Sequence, residues 1–303
     1  MNWTAKDIPT QIGKTIIVTG ANTGLGFETS KALAAKGAKV ILACRDEHRG
    51  QAALERIQKE NPRADLELMR LDLSSLQSVR EFSESFLSQN DRLDILINNA
   101  GVMTPPEAHT TEGFELQIGV NFLGHFLLTA LLFDRLQQTE NARIVTLSSL
   151  MHRPGKIDID SFLGPDKYKP WREYSQSKLA CLMFALELQK RLEANEIPIK
   201  SMAAHPGGTK SDLQRHSLMS RMMGFLLMET SQGALPTLYA ATEPNLKGGE
   251  YIGPNGWFEL GGHPAPSKIA KQAHDTETSK QLWEAAEKMC GVSFGVGQKK
   301  ALA

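Results

Sequence analysis

Short apolar, β-branched runs alternate with longer amphipathic ones through the first two thirds of the chain. Residues 15–19 (TIIVT), 39–44 (KVILAC), 66–71, 93–97, 144–147 and 197–204 have the length and composition of strands. Between them, residues 26–36, 47–60, 76–87, 115–136 and 175–196 read as helices. Asn61-Pro62 stops the second helix, and Ser74 and Ser75 offer hydroxyls to cap the third. This alternation predicts an α/β fold with a doubly wound parallel sheet, a Rossmann fold, with helices on both faces. No linker, repeat or low-complexity tract interrupts it. One domain is therefore expected over residues 1–303. Its core would span 14–204, a substrate-covering segment with the last strand 205–260, and a loose tail 291–303. Residues 248–266 are rich in Gly and Pro but carry Tyr251, Ile252, Trp257 and Phe258, which fits a final short strand with turns.

Composition narrows the function. The 34 basic and 34 acidic residues cancel. The basic runs, Lys299-Lys300 and residues 63–70, are too sparse for a nucleic-acid footprint, so no nucleic acid is expected as a partner. Cys44, Cys181 and Cys290 are far apart and form no C-x-x-C, which excludes a disulfide framework and suits a reducing, cytoplasmic setting. The histidines lack metal-ligand spacing, so no metal is expected. The polar first eleven residues contain no signal core. The longest apolar run lies within residues 126–133, well short of the roughly 18–20 residues a transmembrane segment needs.

The first chemical signal is TGANTGLG, placed between the first strand and the first helix. Gly20, Gly24 and Gly26 permit a tight turn, and Asn22, Thr23 and Leu25 complete it. A helix N-terminus behind such a turn offers free N–H groups to a pyrophosphate. The competing reading is a plain turn with incidental glycines. A ribose-binding acid is expected at the end of the second strand of an NAD site. Cys44 stands there instead, followed by Arg45, whose guanidinium matches a phosphate. NADP(H) is therefore expected over NAD(H). The alternatives are that Arg45 pairs with Asp46 or Glu47, or that Asp46 serves the ribose.

The second signal is Tyr174 and Lys178 in YSQSK, four residues apart and so on one helix face. A free phenol ionises near about 10, and a neighbouring ammonium favours the phenolate. That pairing suits proton transfer, although any amphipathic helix can contain Y-x-x-x-K. Three further groups fall at the carboxyl edge of the predicted sheet, where such folds bind ligands. They are Ser148-Ser149, Asn98 to Gly101, and His205-Pro206-Gly207. Asn121 is a polar amide inside an apolar helix; a satisfied core amide is its plainer reading.

Taken together, TGANTGLG, LDL at residues 71–73, NNAG, Asn121, Ser148-Ser149, YSQSK and HPGGTKSDL resemble the short-chain dehydrogenase/reductase family, in that family's order. LACRD, NFLGHF and HPGG look like its retinol-dehydrogenase-like branch, which includes WW-domain oxidoreductases and protochlorophyllide reductases. The resemblance implies an enzyme that interconverts an apolar carbonyl and its alcohol with NADP(H). Tyr174 would be the acid/base and Lys178 its partner on the nicotinamide ribose. Ser149 would orient the carbonyl oxygen, and Asn121 would hold the helix geometry and a water leading from Lys178. Asp72 and Leu73 would border the adenine, Asn99, Ala100 and Gly101 would line the cofactor, and Pro206, Gly207 and Thr209 would flank the nicotinamide. Relatives often pair through the helices at 115–136 and 175–196, so a homodimer is an expected state. An NADP(H) sensor without catalysis and a C=C reductase remain rival readings. A sugar-nucleotide epimerase is disfavoured by the glycine spacing and the short C-terminal part.

Two segments stand outside the common pattern. Residues 151–172 lengthen the connection between Ser149 and Tyr174, and either rim the active site or cover the sheet edge. Met219, Met222, Met223 and Met228, with Phe225, Leu226 and Leu227, suit an adaptable apolar pocket or an ordinary packed helix pair.

Overall fold

Strands form where the apolar runs are continuous. In chain order they are β1 (Thr15–Thr19), β2 (Lys39–Cys44), β3 (Asp65–Arg70), β4 (Ile95–Asn98), β5 (Arg143–Leu147), β6 (Lys200–Ala204), β7 (Tyr251–Pro254) and β8 (Pro264–Pro266). The structure is a computed structural model that describes residues 2–209 and 228–296. Strands β1, β4, β5 and β7 are buried along their whole length, as a sheet covered on both faces requires. At the outer edge, β3 buries only Met69.

The hydrogen-bonded order is β3-β2-β1-β4-β5-β6-β7-β8. Pairing is parallel from β3 to β7, with Ile17 opposite Ile41 on one side and Leu96 on the other. The order reverses between β1 and β4, which opens a crevice at their carboxyl ends. The doubly wound parallel sheet is as expected, with one antiparallel strand added at its edge. Strand β8 returns antiparallel to β7, with Ile252 opposite Pro266. Two prolines fit β8 because it is an edge strand with ladder bonds on one side only.

The longer helices among the described residues are α1 (Gly24–Ala35), α2 (Glu47–Glu60), α3 (Leu76–Gln89), α4 (Leu116–Gln137), α5 (Pro170–Ala194), α6 (Leu235–Thr242) and α7 (Thr276–Cys290). Helix α4 begins behind Glu115, whose carboxylate accepts from the N–H groups of Gln117 and Ile118. It widens to a π-turn over Gly119–Leu123. Its length and mean hydropathy of 1.7 would suit a membrane span, but 83% of that apolar window is buried inside the protein. Helix α5 starts at residue 170, earlier than the pattern indicated, because Pro170 costs nothing in a first turn. The expected strand at 197–204 shortens to β6, since Glu196 adopts φ +55 to turn the chain out of α5.

Helix α7 was not expected. Asp275 caps it by accepting from Glu277 and Thr278, and Gly291 ends it at φ +57. Trp283 on α7 meets Phe126 at 5.1 Å, Phe184 at 5.8 Å and Phe294 at 4.9 Å between ring centroids, with the Arg191 guanidinium 4.2 Å from its own ring. The chain's own α7 thus packs on Phe126 of α4 and Phe184 of α5. The tail is not loose from residue 291: Phe294 is buried, and its N–H donates to Glu287. Residues 297–303, with Lys299-Lys300, lie outside the described residues, as do Met219, Met222, Met223, Phe225, Leu226 and Leu227.

Candidate active site

The glycine turn shows three separate requirements. Gly20 has φ +67, and a Cβ there would lie 3.0 Å from Ala100. Gly24 has φ +58 with nothing among the described residues within 4 Å of a Cβ position. At Gly26 a Cβ would lie 2.3 Å from the Gly20 carbonyl oxygen and 2.6 Å from Asn99 Nδ2; helix and strand leave it no room. The turn faces a cleft of about 290 Å³. That cleft gathers every cofactor residue expected from the first four strands: Gly20, Asn22, Thr23, Gly24, Leu25, Gly26, Arg45, Asp72, Leu73, Asn99, Ala100 and Gly101. It also contains residues that sequence reasoning did not single out, among them Thr19, Arg49, Val102, Leu116 and Val120. Arg49 was readable in principle, standing one helical turn beyond Arg45.

Several details bear on the occupant. Cys44 is buried beneath the turn, and burial pushes its thiol up to about 11, so it remains a neutral thiol. Arg45 is exposed and makes no ion pair with Asp46 or Glu47. Asp46 instead caps α2 through the Arg49 N–H, which holds its carboxyl below the usual range. Asp72 accepts from the Ser74 N–H and hydroxyl at 2.9 and 2.6 Å. Asn99 donates from Nδ2 to the Thr19 carbonyl at 2.7 Å, leaving its buried Oδ1 without a protein partner. A buried acceptor, an open left-handed glycine and a helix N-terminus on one cleft fit a dinucleotide.

Tyr174 and Lys178 sit on the second and third turns of α5, both buried. Lys178 Nζ lies 5.9 Å from the Tyr174 ring centroid and donates to the Leu147 carbonyl at 3.1 Å. An ammonium has three donors. Nζ also lies 3.5 Å from where a Cβ on Gly101 would stand, and Gly101 lines the cleft, although Ser149, Tyr174 and Lys178 are not themselves among its lining residues. Within the described residues the Tyr174 hydroxyl makes no hydrogen bond. Of the two serines, Ser148 is structural: its hydroxyl is buried and donates to the Lys178 carbonyl at 2.7 Å. Ser149 is half-buried, and its hydroxyl accepts from the Met151 N–H.

Asn121 lies within the π-turn of α4. Its amide exchanges hydrogen bonds with Val102, accepting from N at 2.8 Å and donating to O at 3.0 Å, and donates to Ser177 at 2.9 Å. The Asn121 carbonyl accepts from Cys181 at 3.1 Å and lies 2.9 Å from His125 Nδ1. Burial pushes His125 down to about 4, the bond to Asn121 opposing it.

Pro206, Gly207 and Thr209 follow β6 and do not line the cleft. Thr209 donates to the Pro206 carbonyl at 2.9 Å. Below them, His205 lies 3.2 Å from Glu259, which also pairs with Arg153 at 2.9 Å and accepts from Ser267. Burial lowers His205 to about 4 despite the Glu259 carboxylate, so the contact is a hydrogen bond to a neutral ring. Phe258 and Glu259 take φ +50 and +59 to bring this about. Nothing in the sequence marked that clamp. The 151–172 segment has both buried and exposed parts. Phe162 is fully buried, whereas Trp171 is 42% exposed and stands edge-on to Tyr174 at 6.3 Å.

A profile of the short chain dehydrogenase family matches residues 14–221. Retinol dehydrogenase 12 of Mus musculus is 39% identical over 290 residues, covering 93% of this chain and 88% of its own. Polyprenol dehydrogenase of Mus musculus is 38% identical over 300 residues, covering 95% and 87%. The crystal structure of an uncharacterised protein from Mycobacterium Paratuberculosis superposes with a TM-score of 0.83 at 40% identity, covering 97% of this chain and 99% of that one.

Proposed function

Because the chain belongs to the short-chain dehydrogenase/reductase family and is an oxidoreductase acting on CH–OH or C=O groups, we propose that it interconverts an apolar aldehyde or ketone and its alcohol with NADP(H), Tyr174 acting as the acid/base. The observation that carries this reading is the Tyr174–Lys178 pair. A phenol free of hydrogen bonds among the described residues stands beside a buried ammonium, 3.5 Å from the Cβ position of the cleft-lining Gly101.

In this reading Gly20 to Gly26 and the α1 N-terminus hold the pyrophosphate, Asp72 and Leu73 border the adenine, and Arg45 takes the 2′-phosphate. Asn99 to Gly101 hold the nicotinamide half within the cleft, and Lys178, Pro206, Gly207 and Thr209, outside its lining, would flank the nicotinamide where it reaches toward Tyr174. When bound, the nicotinamide supplies or accepts the hydride. In reduction, Ser149 holds the carbonyl oxygen by its hydroxyl, and Tyr174 gives that oxygen a proton as negative charge develops. In oxidation Tyr174 takes the proton back. Lys178 places a fixed positive charge beside the phenol, and Asn121 keeps α4 and the Val102 segment in register with it. The Trp171 indole, with Val102, Leu116 and Val120, supports an apolar substrate, as do the apolar alcohols in the names of the two mouse relatives. Three buried, unpaired thiols suit a reducing, cytoplasmic setting.

The test is NADPH oxidation by the purified protein across aliphatic, aromatic and retinoid carbonyls, alongside Tyr174→Phe. Turnover lost by about 10²-fold or more in the variant, with NADPH affinity retained, is expected from removal of a general acid. Tight NADPH binding with no wild-type turnover on any carbonyl would move the reading to a sensor or a C=C reductase.

A further inference from the structure

One buried side chain that the reaction itself does not use joins the two halves of the site. His125 lies on α4, four residues after Asn121, and is 1% exposed. Its Nδ1 is 2.9 Å from the Asn121 carbonyl oxygen and its Nε2 is 2.9 Å from Thr19 Oγ1. The Thr19 hydroxyl accepts from the N–H groups of Asn99 and Ala100, at 2.9 Å each. With both lone pairs engaged, its own hydrogen goes to the imidazole; the other acceptor within reach, the Ile97 carbonyl, is 3.4 Å away. Nε2 is thereby assigned as acceptor, and Nδ1 carries the hydrogen it gives to Asn121.

These contacts close a ring. Thr19 grips residues 99 and 100, while the Asn121 amide grips both backbone polar groups of Val102. Between the grips lies Gly101, which lines the cleft and whose Cβ position is 3.5 Å from Lys178 Nζ. His125 is the strut that ties one grip to the other. We propose that His125 is a positioning residue: it fixes the floor formed by residues 99–102 against Lys178, and so sets where the nicotinamide end of the cofactor rests relative to Tyr174. The proposal builds on the NADP(H) and Tyr174 reading above.

His125→Phe keeps a ring of similar size but has no donor for Asn121 and no acceptor for Thr19. Displacements of about 1 Å at a reacting centre cost on the order of 10²-fold. We therefore expect kcat to fall about 30- to 100-fold, with the carbonyl KM changed by less than about threefold. The primary isotope effect with 4-deuterated NADPH should rise toward its intrinsic value, and the emission of bound NADPH should shift. Thr19→Val, which removes the grip on residues 99 and 100 as well as the strut, should lose at least as much. The double variant should lose no more than Thr19→Val alone, because the strut is already cut there. If His125→Phe fails to fold, His125→Gln, which keeps an acceptor for Thr19, replaces it in the same cycle. Multiplicative losses in the double variant would overturn the proposal. So would a lowered Tm accompanied by unchanged isotope effect, kcat and NADPH emission, because a residue that only stabilises the fold predicts that outcome. Failure of the wild type to reduce any carbonyl would count against the function proposed above, while the NADPH emission of the same variants would still decide the role of His125.

Discussion

Removing the Arg45 guanidinium is the sharpest test of cofactor preference. Arg45 follows β2, lines the cleft and has no partner in Asp46 or Glu47, so its charge is available to a ligand. A hydrogen bond to a charged group contributes about 1.5–3 kcal/mol, and the exposure of Arg45 puts it at the lower end. Arg45→Ala should therefore weaken NADPH binding about tenfold, since 1.4 kcal/mol is a factor of ten. Arg49 adds less, because its Nε already lies 3.8 Å from Asp46 and its side chain is 66% exposed. Arg45→Ala with Arg49→Ala should reach about 30-fold. NADH binding should stay within about twofold, because the lost contact is to a phosphate NADH lacks. Fluorescence titration of both cofactors at about 50 and 200 mM salt measures this, and the wild-type preference should narrow at higher salt. Equal weakening of both cofactors, or unchanged NADPH affinity, would show that Arg45 does not read the 2′-phosphate.

Gly26→Ala should abolish NADPH binding and lower the Tm, since its Cβ meets the Gly20 carbonyl at 2.3 Å; overpacking of this kind costs about 1–3 kcal/mol. Gly24→Ala has space and suffers only from its left-handed backbone, about 1–2 kcal/mol, so it should bind weakly rather than not at all. Burial raises Glu115 to about 7 against the N–H groups it accepts from. A carboxyl raised in the folded state is favoured there in its protonated form, so its contribution to stability falls as pH rises from about 4.5 to 7 and is level above that. Urea midpoints should therefore decline less steeply over that window in Glu115→Gln, by up to about 3 kcal/mol in total; parallel profiles would refute the assignment. Trp171→Ala should flatten the gain in kcat/KM with substrate chain length, about tenfold at most for a long apolar carbonyl, while leaving NADPH affinity unchanged.

The strands and the cofactor turn were legible because their signals are local. TIIVT and KVILAC are buried on both faces and need no partner to be recognised, and the glycines of TGANTGLG carry their own backbone geometry. Tyr174 with Lys178 was legible as a spacing, but its meaning lay in Leu147 and Gly101, which come from other strands. What escaped was non-local or broken in pattern. Thr19 looked like the last apolar-run residue of a strand, yet its hydroxyl organises Asn99 and Ala100. The Glu259 clamp depends on two non-glycine residues at positive φ, which no propensity indicates. Helix α7 was missed although Asp275 caps it, Leu282, Trp283, Ala286 and Cys290 line one face, and Gly291 stops it. Those signals were present, but the Gly- and Pro-rich stretch before them drew the reading toward turns.

The aromatic joint between α7 and the α4–α5 face changes how concentration enters the protein's stability. A second subunit on that face would leave on dilution, and the buried Phe126, Phe184 and Trp283 would be uncovered with it. Carried on the same chain, the covering helix is present at a local concentration on the order of millimolar however few molecules are in solution. The covering of Phe126 and Phe184 by α7 is thus a folding step, and its stability follows temperature and denaturant rather than mass action.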